Sequence, residues 1–175
     1  MADPKFKPLL IVMSAPSGGG KTTLCNGMLK ANKSLARAVT CTTREPRGGE
    51  KDGVDYHFLA PGDFLKRVQA GNFLEHATVY GNSYGTLKAE VLTKLRVGRD
   101  VLLAVDVQGA ASIREAAGAD PELQAAMITV FLTPRSLKVL EARLARNEAR
   151  IPRRRSRSGW ASPRARSRSG RILII

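Results

Sequence analysis

Leu9-Leu-Ile-Val-Met-Ser-Ala-Pro-Ser-Gly-Gly-Gly-Lys-Thr-Thr23 decides the fold, because it joins an apolar strand to a glycine-rich turn and the start of a helix. In such a turn the backbone N–H groups face a polyphosphate, and the helix directs its positive N-terminal dipole at the same anion. The last three positions of the pattern G-x-x-x-x-G-K-S/T are met by Gly20, Lys21 and Thr22, whereas the first is Ala15. The sequence therefore predicts a phosphate-binding loop.

Each part of this loop has a predicted role in holding a nucleoside triphosphate. Lys21 is expected to lie against the β- and γ-phosphates, and the Thr22 hydroxyl is expected to be a ligand of Mg²⁺. The predicted phosphate-binding set is Ala15, Pro16, Ser17, Gly18, Gly19, Gly20, Lys21, Thr22 and Thr23. An ordinary glycine-rich turn between a strand and a helix is the alternative interpretation, and Lys21 and Thr22 at the required positions argue against it.

Length and composition predict one soluble α/β domain. The chain has 175 residues, of which 43% are hydrophobic and 25% are charged, as is typical of globular proteins. Its apolar runs have the length of strands and are far shorter than the roughly 20 residues that cross a membrane. Cys25 and Cys41 lack the spacing of zinc or redox motifs, so we expect reduced structural thiols and a cytoplasmic location.

The net charge of +14 is unevenly distributed along the chain. The segment 151–175 contains eight arginines and no acidic residue, and subtracting those eight leaves a net charge of +6 on residues 1–150. A moderate positive field of this kind attracts phosphorylated nucleotides without requiring a nucleic acid. We therefore expect residues 1–150 to have small nucleotides, and neither a nucleic acid nor a membrane, as their partners.

Three apolar segments, each followed by a helical pattern, predict the architecture. Residues 9–13, 100–105 and 127–132 have the near-continuous hydrophobicity of buried parallel strands. The helices predicted to follow them cover residues 21–29, 110–117 and 135–146. We expect a right-handed parallel α/β sheet with helices on both faces and the phosphate loop at the carboxyl end of a strand.

Residues from about 40 to 97 interrupt this rhythm with shorter strands and helices. Strands are predicted over 38–41, 54–59 and 73–80, and helices over 61–70 and 88–97. We interpret this stretch as an inserted small mixed α/β lobe that binds a second substrate. The predicted division is a core of residues 1–38 and 98–146, a lobe of residues 39–97 and a tail of residues 147–175.

Five residues of the inserted lobe narrow the chemistry of the second substrate. Arg44 and Arg47, in a loop bounded by glycine and proline, are suited to clamp one phosphate bidentately, with neutral hydrogen bonds added by Tyr56 and Tyr84. Glu75 offers only acceptors, which suits the N1–H and N2–H₂ donors that guanine has and adenine lacks. From the residues alone, Glu75 also fits an exposed acidic residue of a strand, so a guanine mononucleotide is one of two interpretations at this point.

The order of these motifs resembles that of the guanylate kinase family. The matching segments are residues 14–23, 42–50, 55–58, 73–75, 81–85 and 105–109, within residues 8–146. The resemblance implies a P-loop nucleoside monophosphate kinase-like fold with a partial lid, and phosphoryl transfer from ATP to GMP to give ADP and GDP, with Mg²⁺ as cofactor. It also implies contacts to GMP from Thr40, Arg44, Arg47, Tyr56, Glu75, Tyr84 and Asp106.

The reaction that the resemblance implies needs positioning and charge neutralisation, so no nucleophilic side chain is required. The family has mobile arginines on a lid after the last buried strand, and Arg143 and Arg146 match the first part of that lid. Together with Lys21 and Arg44, these two arginines complete the predicted catalytic set.

Beyond about residue 147 the sequence ceases to resemble the family and becomes rich in arginine and serine. One hypothesis is a genuine tail that binds RNA or another anionic surface. The other is a slip of the reading frame, because arginine-rich, acid-free sequence is what GC-rich DNA encodes out of frame. A tail of this composition is expected to be disordered. The incomplete lid keeps a catalytically silent binding module open as an alternative to the enzyme.

Overall fold

The computed structural model describes residues 7–150, and the side chains of residues 7–145. Strands and helices alternate along most of this length, as the sequence predicts. The elements are β1 (Leu10–Ser14), α1 (Lys21–Ala31), β2 (Leu35–Arg37), β3 (Cys41–Thr42), β4 (His57–Phe58), α2 (Pro61–Gln69), β5 (Phe73–Val79), β6 (Asn82–Leu87), α3 (Lys88–Arg96), β7 (Asp100–Val105), α4 (Val107–Gly118), α5 (Pro121–Ala126), β8 (Met127–Phe131) and α6 (Leu137–Arg150).

The core is a four-stranded parallel sheet with the strand order β2-β7-β1-β8. Strand β1 lies between β7 and β8, with Val12 opposite both Leu103 and Thr129. Every side chain of β1 except Ile11 is buried, which explains why this strand has no polar alternation. The phosphate loop begins where β1 ends, so it lies at the carboxyl edge of the sheet.

Helices cover both faces of this sheet, which confirms the predicted fold class. On one face, Cys25, Met28 and Leu29 of α1 pack against a cluster that contains Met13 and Leu102. On the other face, α3, α4 and α5 pack against the alternate residues of the same strands. That larger cluster includes Leu10, Val12, Leu74, Val91, Leu95, Val101, Leu103, Ile113 and Leu123.

Strand β8 corrects the expectation that all three apolar segments are buried. Its side chains from Ile128 to Phe131 are exposed, with 42% exposure for Ile128 and 58% for Phe131. Within residues 7–150, β8 pairs with β1 alone and forms one edge of the sheet. An edge strand has no neighbouring strand along one side, so its side chains are less buried. The apolar composition of the segment does not show which position in the sheet it takes.

A second, mixed sheet has the strand order β4-β3-β6-β5 and comes from the interrupting stretch. Its main unit is the antiparallel hairpin of β5 and β6, joined by a tight turn at Tyr80 and Gly81 that have φ values of 49° and 79°. Strand β6 is absent from the sequence predictions, as is helix α5. The strand predicted over residues 38–41 is wrong in its bounds, because β2 ends at Arg37 in the core sheet and β3 begins at Cys41 in the second sheet.

Helix α6 continues to Arg150, so residues 147–150, which the sequence assigns to the tail, are helical. No glycine or proline occurs between Leu137 and Arg150 to interrupt the helix. The remainder of the predicted tail, residues 151–175, lies outside the described residues. Among residues 7–150 there is no helix with the length and apolar character needed to cross a membrane.

Gly85 of β6 provides a test of the packing in the second sheet. A Cβ atom at this position would lie 2.9 Å from Phe73 Cδ1, 3.0 Å from the Glu75 carbonyl oxygen and 3.1 Å from His76 Cβ. We expect Gly85→Ala to lower the free energy of unfolding by about 1–3 kcal/mol, because backbone atoms of β5 would have to move. Urea unfolding monitored by circular dichroism measures this change. Gly62→Ala is the control, because its Cβ would meet no atom within 4 Å; equal stability of the two variants would contradict the prediction.

Candidate active site

The phosphate loop owes its shape to three consecutive glycines. Gly18 and Gly20 have φ values of 76° and 96°, in the left-handed region that side-chain-bearing residues avoid. Gly19 has no room for a side chain, because a Cβ would lie 2.9 Å from the Pro16 carbonyl oxygen and 3.0 Å from Ala15 Cβ. That carbonyl accepts a hydrogen bond of 2.9 Å from the Gly19 N–H. The buried methyl group of Ala15, where the pattern has glycine, therefore packs directly under the turn.

Lys21 begins α1 and reaches across to the neighbouring strand. Its Nζ donates a hydrogen bond to the carbonyl oxygen of Val105, the last residue of β7. Burial lowers the pKa of Lys21, and the nearby carboxylate of Asp106 opposes this shift. The ammonium group therefore lies between the carboxyl ends of β1 and β7, beside the glycine loop.

A cavity of about 1420 Å³ opens above the loop. All nine residues of the predicted phosphate-binding set line it, from Ala15 to Thr23. Asp106 and Arg143 line the same cavity, as do Leu132, Thr133, Pro134 and Arg135 from the segment after β8. The structure thus brings the predicted phosphate set together with one residue predicted to contact GMP and one predicted lid arginine.

Helix α6 places Arg143 over the glycine loop. Its Nη1 donates to the Gly19 carbonyl oxygen at 3.3 Å, and it lies 3.4 Å from where a Cβ at Gly20 would be. Leu144 lies against the same loop, 3.2 Å from the corresponding position at Gly18. The side chain of Arg146, the second predicted lid arginine, lies outside the described residues.

Arg44 lies in the loop between β3 and β4 of the second sheet, close to several aromatic rings. Its guanidinium carbon is 5.4 Å from the ring centre of Tyr56 and 6.0 Å from that of Phe58. The ring of Tyr84 is 6.3 Å from that of Tyr56. Arg44 Nη2 also forms a salt bridge of 2.8 Å with Glu50, whose hydrogen bond raises the pKa of Arg44 further above its usual range. Three of the residues predicted to hold the phosphate of GMP are therefore neighbours.

Arg47 and Thr40, which are also predicted to contact GMP, form backbone hydrogen bonds near this loop. Arg47 is exposed, and its backbone N–H donates to Glu50 Oε2 at 2.7 Å. Thr40 is half-buried just before β3, and its carbonyl oxygen accepts a hydrogen bond of 3.0 Å from the His57 N–H. Neither contact tests the predicted role of the side chain.

Glu75 of β5 and Asp106 at the start of α4 both lie close to Gly109. A Cβ at Gly109 would lie 3.3 Å from Asp106 Oδ1 and 3.6 Å from Glu75 Oε2. Asp106 caps α4 by accepting the Gly109 N–H at 2.7 Å, and Glu75 Oε1 accepts the Thr86 hydroxyl at 2.8 Å. The pKa of Glu75 is raised, mainly because the side chain is removed from water. The charge of Asp106 adds to this shift, and the hydrogen bond from Thr86 opposes it. One carboxyl group from the second sheet and one from the residue after β7 of the core sheet are thus brought to the same glycine.

Thr86 is a contact that sequence reasoning missed. It is 2% exposed and lies directly opposite Glu75 in the ladder of β5 and β6. Side chains two apart on a strand share a face, so Tyr84 and Thr86 belong together once β6 is known to be a strand. The two-residue spacing of Tyr84 and Thr86 therefore predicts that they share a face, but only once β6 is recognised as a strand.

The raised pKa of Glu75 predicts how the folded chain responds to pH. A folded-state pKa above the ordinary glutamate value of 4.5 means that Glu75 contributes stability below pH 4.5 and loses that contribution as pH rises through the raised pKa. We expect the free energy of unfolding of the unmodified chain, relative to Glu75→Gln, to decrease as pH rises above 4.5 and then to level off. Urea unfolding at a series of pH values measures the difference, and a constant difference above pH 4.5 would contradict the prediction.

Comparison with known proteins agrees with the motifs and the geometry. The sequence model of the family described as guanylate kinase matches residues 7–156, and so extends past residue 147, where the resemblance was expected to stop. A guanylate kinase from Clostridium perfringens (strain SM101 / Type A) is 41% identical over 144 residues, which are 82% of this chain and 63% of that protein. One from Clostridioides difficile (strain 630) is 42% identical over 152 residues, 85% of this chain and 71% of that protein.

A solved structure gives the same result. The crystal structure of guanylate kinase from Anaplasma phagocytophilum superposes with a TM-score of 0.57 and 32% identity, covering 81% of this chain and 69% of that chain. The first curated relatives are longer, since the matched region spans 63% of their length. The family match and the identity over most of this chain show that it belongs to the guanylate kinase family.

Proposed function

We propose that this chain transfers the γ-phosphoryl group of ATP to GMP, giving ADP and GDP. One observation carries the proposal: Asp106 lines the cavity of the phosphate loop and also borders the glycine that Glu75 borders. A donor phosphate on the loop and a guanine base at Glu75 would thus be held on opposite sides of one residue. The acceptor phosphate would then lie between them, near Arg44, Tyr56 and Tyr84.

The roles of the residues follow from their charges and donors. Lys21, Arg143 and the N–H groups of the loop would neutralise the charge that develops on the transferring group. Arg44 and Arg47, with Tyr56 and Tyr84, would hold the acceptor phosphate in line. Glu75 would accept the N1–H and N2–H₂ of guanine, with further contacts from Thr40 and Asp106, and an adenine base would offer this half-buried carboxylate no donors at those two positions. Arg146 would add to the charge stabilisation.

Magnesium is the proposed cofactor, and the donor set near the loop suits it. Thr22 and Asp106 line the same cavity, and among the residues that the structure describes there is no group of three or more His, Cys, Asp or Glu side chains that could form a dedicated cage. Mg²⁺ in phosphoryl-transfer enzymes is held by few protein groups together with substrate phosphates and water. Thr22 would supply the protein ligand, and the ion would offset the charge of the β- and γ-phosphates.

The organisation of the chain is part of the same proposal. Residues 39–97 would form the GMP-binding lobe, and residues 1–38 and 98–146 the core that binds ATP. Two buried free thiols, Cys25 and Cys41, support a reducing compartment such as the cytoplasm. Burial raises the pKa of Cys41 to about 11, which keeps its thiol protonated and unreactive.

A coupled assay of ADP release tests the activity. The full chain is incubated with ATP and Mg²⁺ and with GMP, AMP, CMP or UMP as acceptor. ADP release that depends on GMP and not on the other three supports the proposal. No release with any acceptor, from protein whose folding is verified by circular dichroism, would refute it and would favour the silent binding module.

A further inference from the structure

The loop that carries Arg44 and Arg47 has almost no apolar packing of its own. Residues 45–49 are exposed, and no atom lies within 4 Å of where a Cβ would be at Gly48 or Gly49. Gly49 has a φ of 88°, which lets the chain turn back but does not hold it there. Apart from the rings beside the Arg44 guanidinium, the relative position of the two arginines therefore depends on polar contacts within the loop.

The side chain of Glu50 supplies these contacts. Its Oε1 and Oε2 accept from Arg44 Nη2 at 2.8 Å and 3.0 Å. Oε2 also accepts the backbone N–H of Arg47 at 2.7 Å, while the Glu50 N–H donates to the Arg47 carbonyl oxygen at 3.0 Å. One carboxylate thus joins the side chain of the first arginine to the main chain of the second.

Glu50 holds Arg44 without using up its donors. A guanidinium has five N–H groups. Two hydrogen bonds join Arg44 Nη2 to Glu50, and one of 2.6 Å joins Arg44 Nη1 to the Glu45 carbonyl oxygen. Together they engage at most three of the five N–H groups. The rings of Tyr56 and Phe58 limit the guanidinium from another side, and only 13% of the Arg44 side chain is exposed. A further hydrogen bond with Tyr84 engages at most one more, so at least one N–H group of this fixed arginine stays available for a phosphate.

We propose that Glu50 is a positioning residue of the acceptor phosphate site, which fixes Arg44 and Arg47 at the separation that one phosphate requires. It touches neither substrate nor the reacting atoms and acts through the two arginines. The inference rests on the proposed function, since it takes GMP as the ligand of this loop. The hydrogen bond from Arg44 lowers the pKa of Glu50, so the carboxylate keeps its charge throughout the neutral range.

Glu50→Gln separates positioning from simple charge, because the two explanations predict opposite signs. A carboxylate near a phosphate repels it, so if Glu50 acted only by its charge, its removal would tighten GMP binding. If it positions the arginines, glutamine loses an acceptor for the Arg47 N–H or for Arg44, and binding weakens. We expect the dissociation constant for GMP, measured by titration calorimetry on the full chain, to rise by roughly 10- to 100-fold.

Two further variants complete the test. Glu50→Asp keeps the charge but shortens the side chain, and we expect it to weaken GMP binding as well. Glu45→Gln is the matched control: it removes the same charge from an exposed residue of the same loop that contacts Arg44 through its backbone carbonyl, and it should leave GMP affinity unchanged. The KM for ATP should not change in any variant, because the phosphate loop is untouched.

The possible results are distinct. Weaker GMP binding in both Glu50 variants, with unchanged KM for ATP, supports the assignment. Unchanged or tighter binding in Glu50→Gln overturns it, and so does an equal loss in Glu45→Gln. Since binding is measured separately from ADP release, a chain that binds GMP without turnover refutes the proposed reaction and still tests Glu50. A chain that does not bind GMP refutes both.

Discussion

Lys21→Met is expected to reduce the turnover number for GMP-dependent ADP release on the order of 10³-fold. The Lys21 ammonium lies between the carboxyl ends of β1 and β7 and lines the cavity of the phosphate loop. Methionine has a similar length and no charge, so the proposed phosphoryl transfer would lose one of the fixed cations that line this cavity. Steady-state kinetics with saturating ATP and GMP measure the loss.

The control for this variant is Lys30→Met, which changes an exposed lysine near the other end of α1. It makes the same chemical substitution on the same helix, far from the loop, and should keep full activity. Circular dichroism should show both variants folded, since burial of the Lys21 ammonium already carries a desolvation cost that methionine avoids. Similar turnover in Lys21→Met and the unmodified chain would contradict the proposed role.

Glu75→Gln is expected to lower kcat/KM for GMP by roughly 100-fold or more and to reduce discrimination against AMP. The glutamine amide has one acceptor oxygen in place of two, and its NH₂ group would face a donor of guanine. The Thr86 hydroxyl, which Glu75 Oε1 now accepts at 2.8 Å, competes for the remaining acceptor. Rates of ADP release with each nucleotide give both quantities.

Glu115→Gln is the matched control for this experiment, because Glu115 is an exposed glutamate of α4. It should leave kcat/KM for GMP unchanged. The KM for ATP should be the same in both variants, because the base of GMP is proposed to bind away from the phosphate loop. A Glu75→Gln variant that keeps full selectivity for GMP over AMP would show that another group reads the guanine base.

The core of the fold could be predicted because its signals are local. Strand β1, the glycine turn and the start of α1 follow one another in 15 consecutive residues, from Leu9 to Thr23, and each is determined by residue types within a few positions. Strand β7 was predicted with its observed bounds from the apolar run at residues 100–105. Near-continuous hydrophobic segments followed by helices are typical of parallel sheets, and the sheet is parallel throughout.

The elements that were missed or misjudged depend on contacts distant in sequence. Strand β6 contains Asn82, Ser83 and Gly85 and lacks alternation of apolar residues; it forms because β5 and β3 supply hydrogen bonds on its two sides. Strand β8 has the composition of a buried strand but takes an edge position, which only the arrangement of the other strands decides. Local patterns contain neither piece of information.

The candidate site divides in the same way. The phosphate-binding set is contiguous in sequence, and its nine residues line one cavity. Glu75, Thr86 and Asp106 come from β5, β6 and the start of α4, and no spacing rule connects them. Their side-chain chemistry suggested guanine for Glu75, while the inclusion of Asp106 came from the family resemblance alone. The individual roles of these residues remain predictions until the variants above are measured.

The contact between Leu144 and Gly18 has a consequence for sequence variation within the family. The φ of 76° at Gly18 disfavours any side chain, so this position has little freedom to change. Leu144 approaches the loop to 3.2 Å of where a Cβ at Gly18 would lie. A longer or aromatic residue at position 144 would press directly on the backbone of Gly18, with no intervening side chain to adjust. The phosphate loop therefore restricts the size of a residue in α6 that lies more than a hundred positions away in the chain.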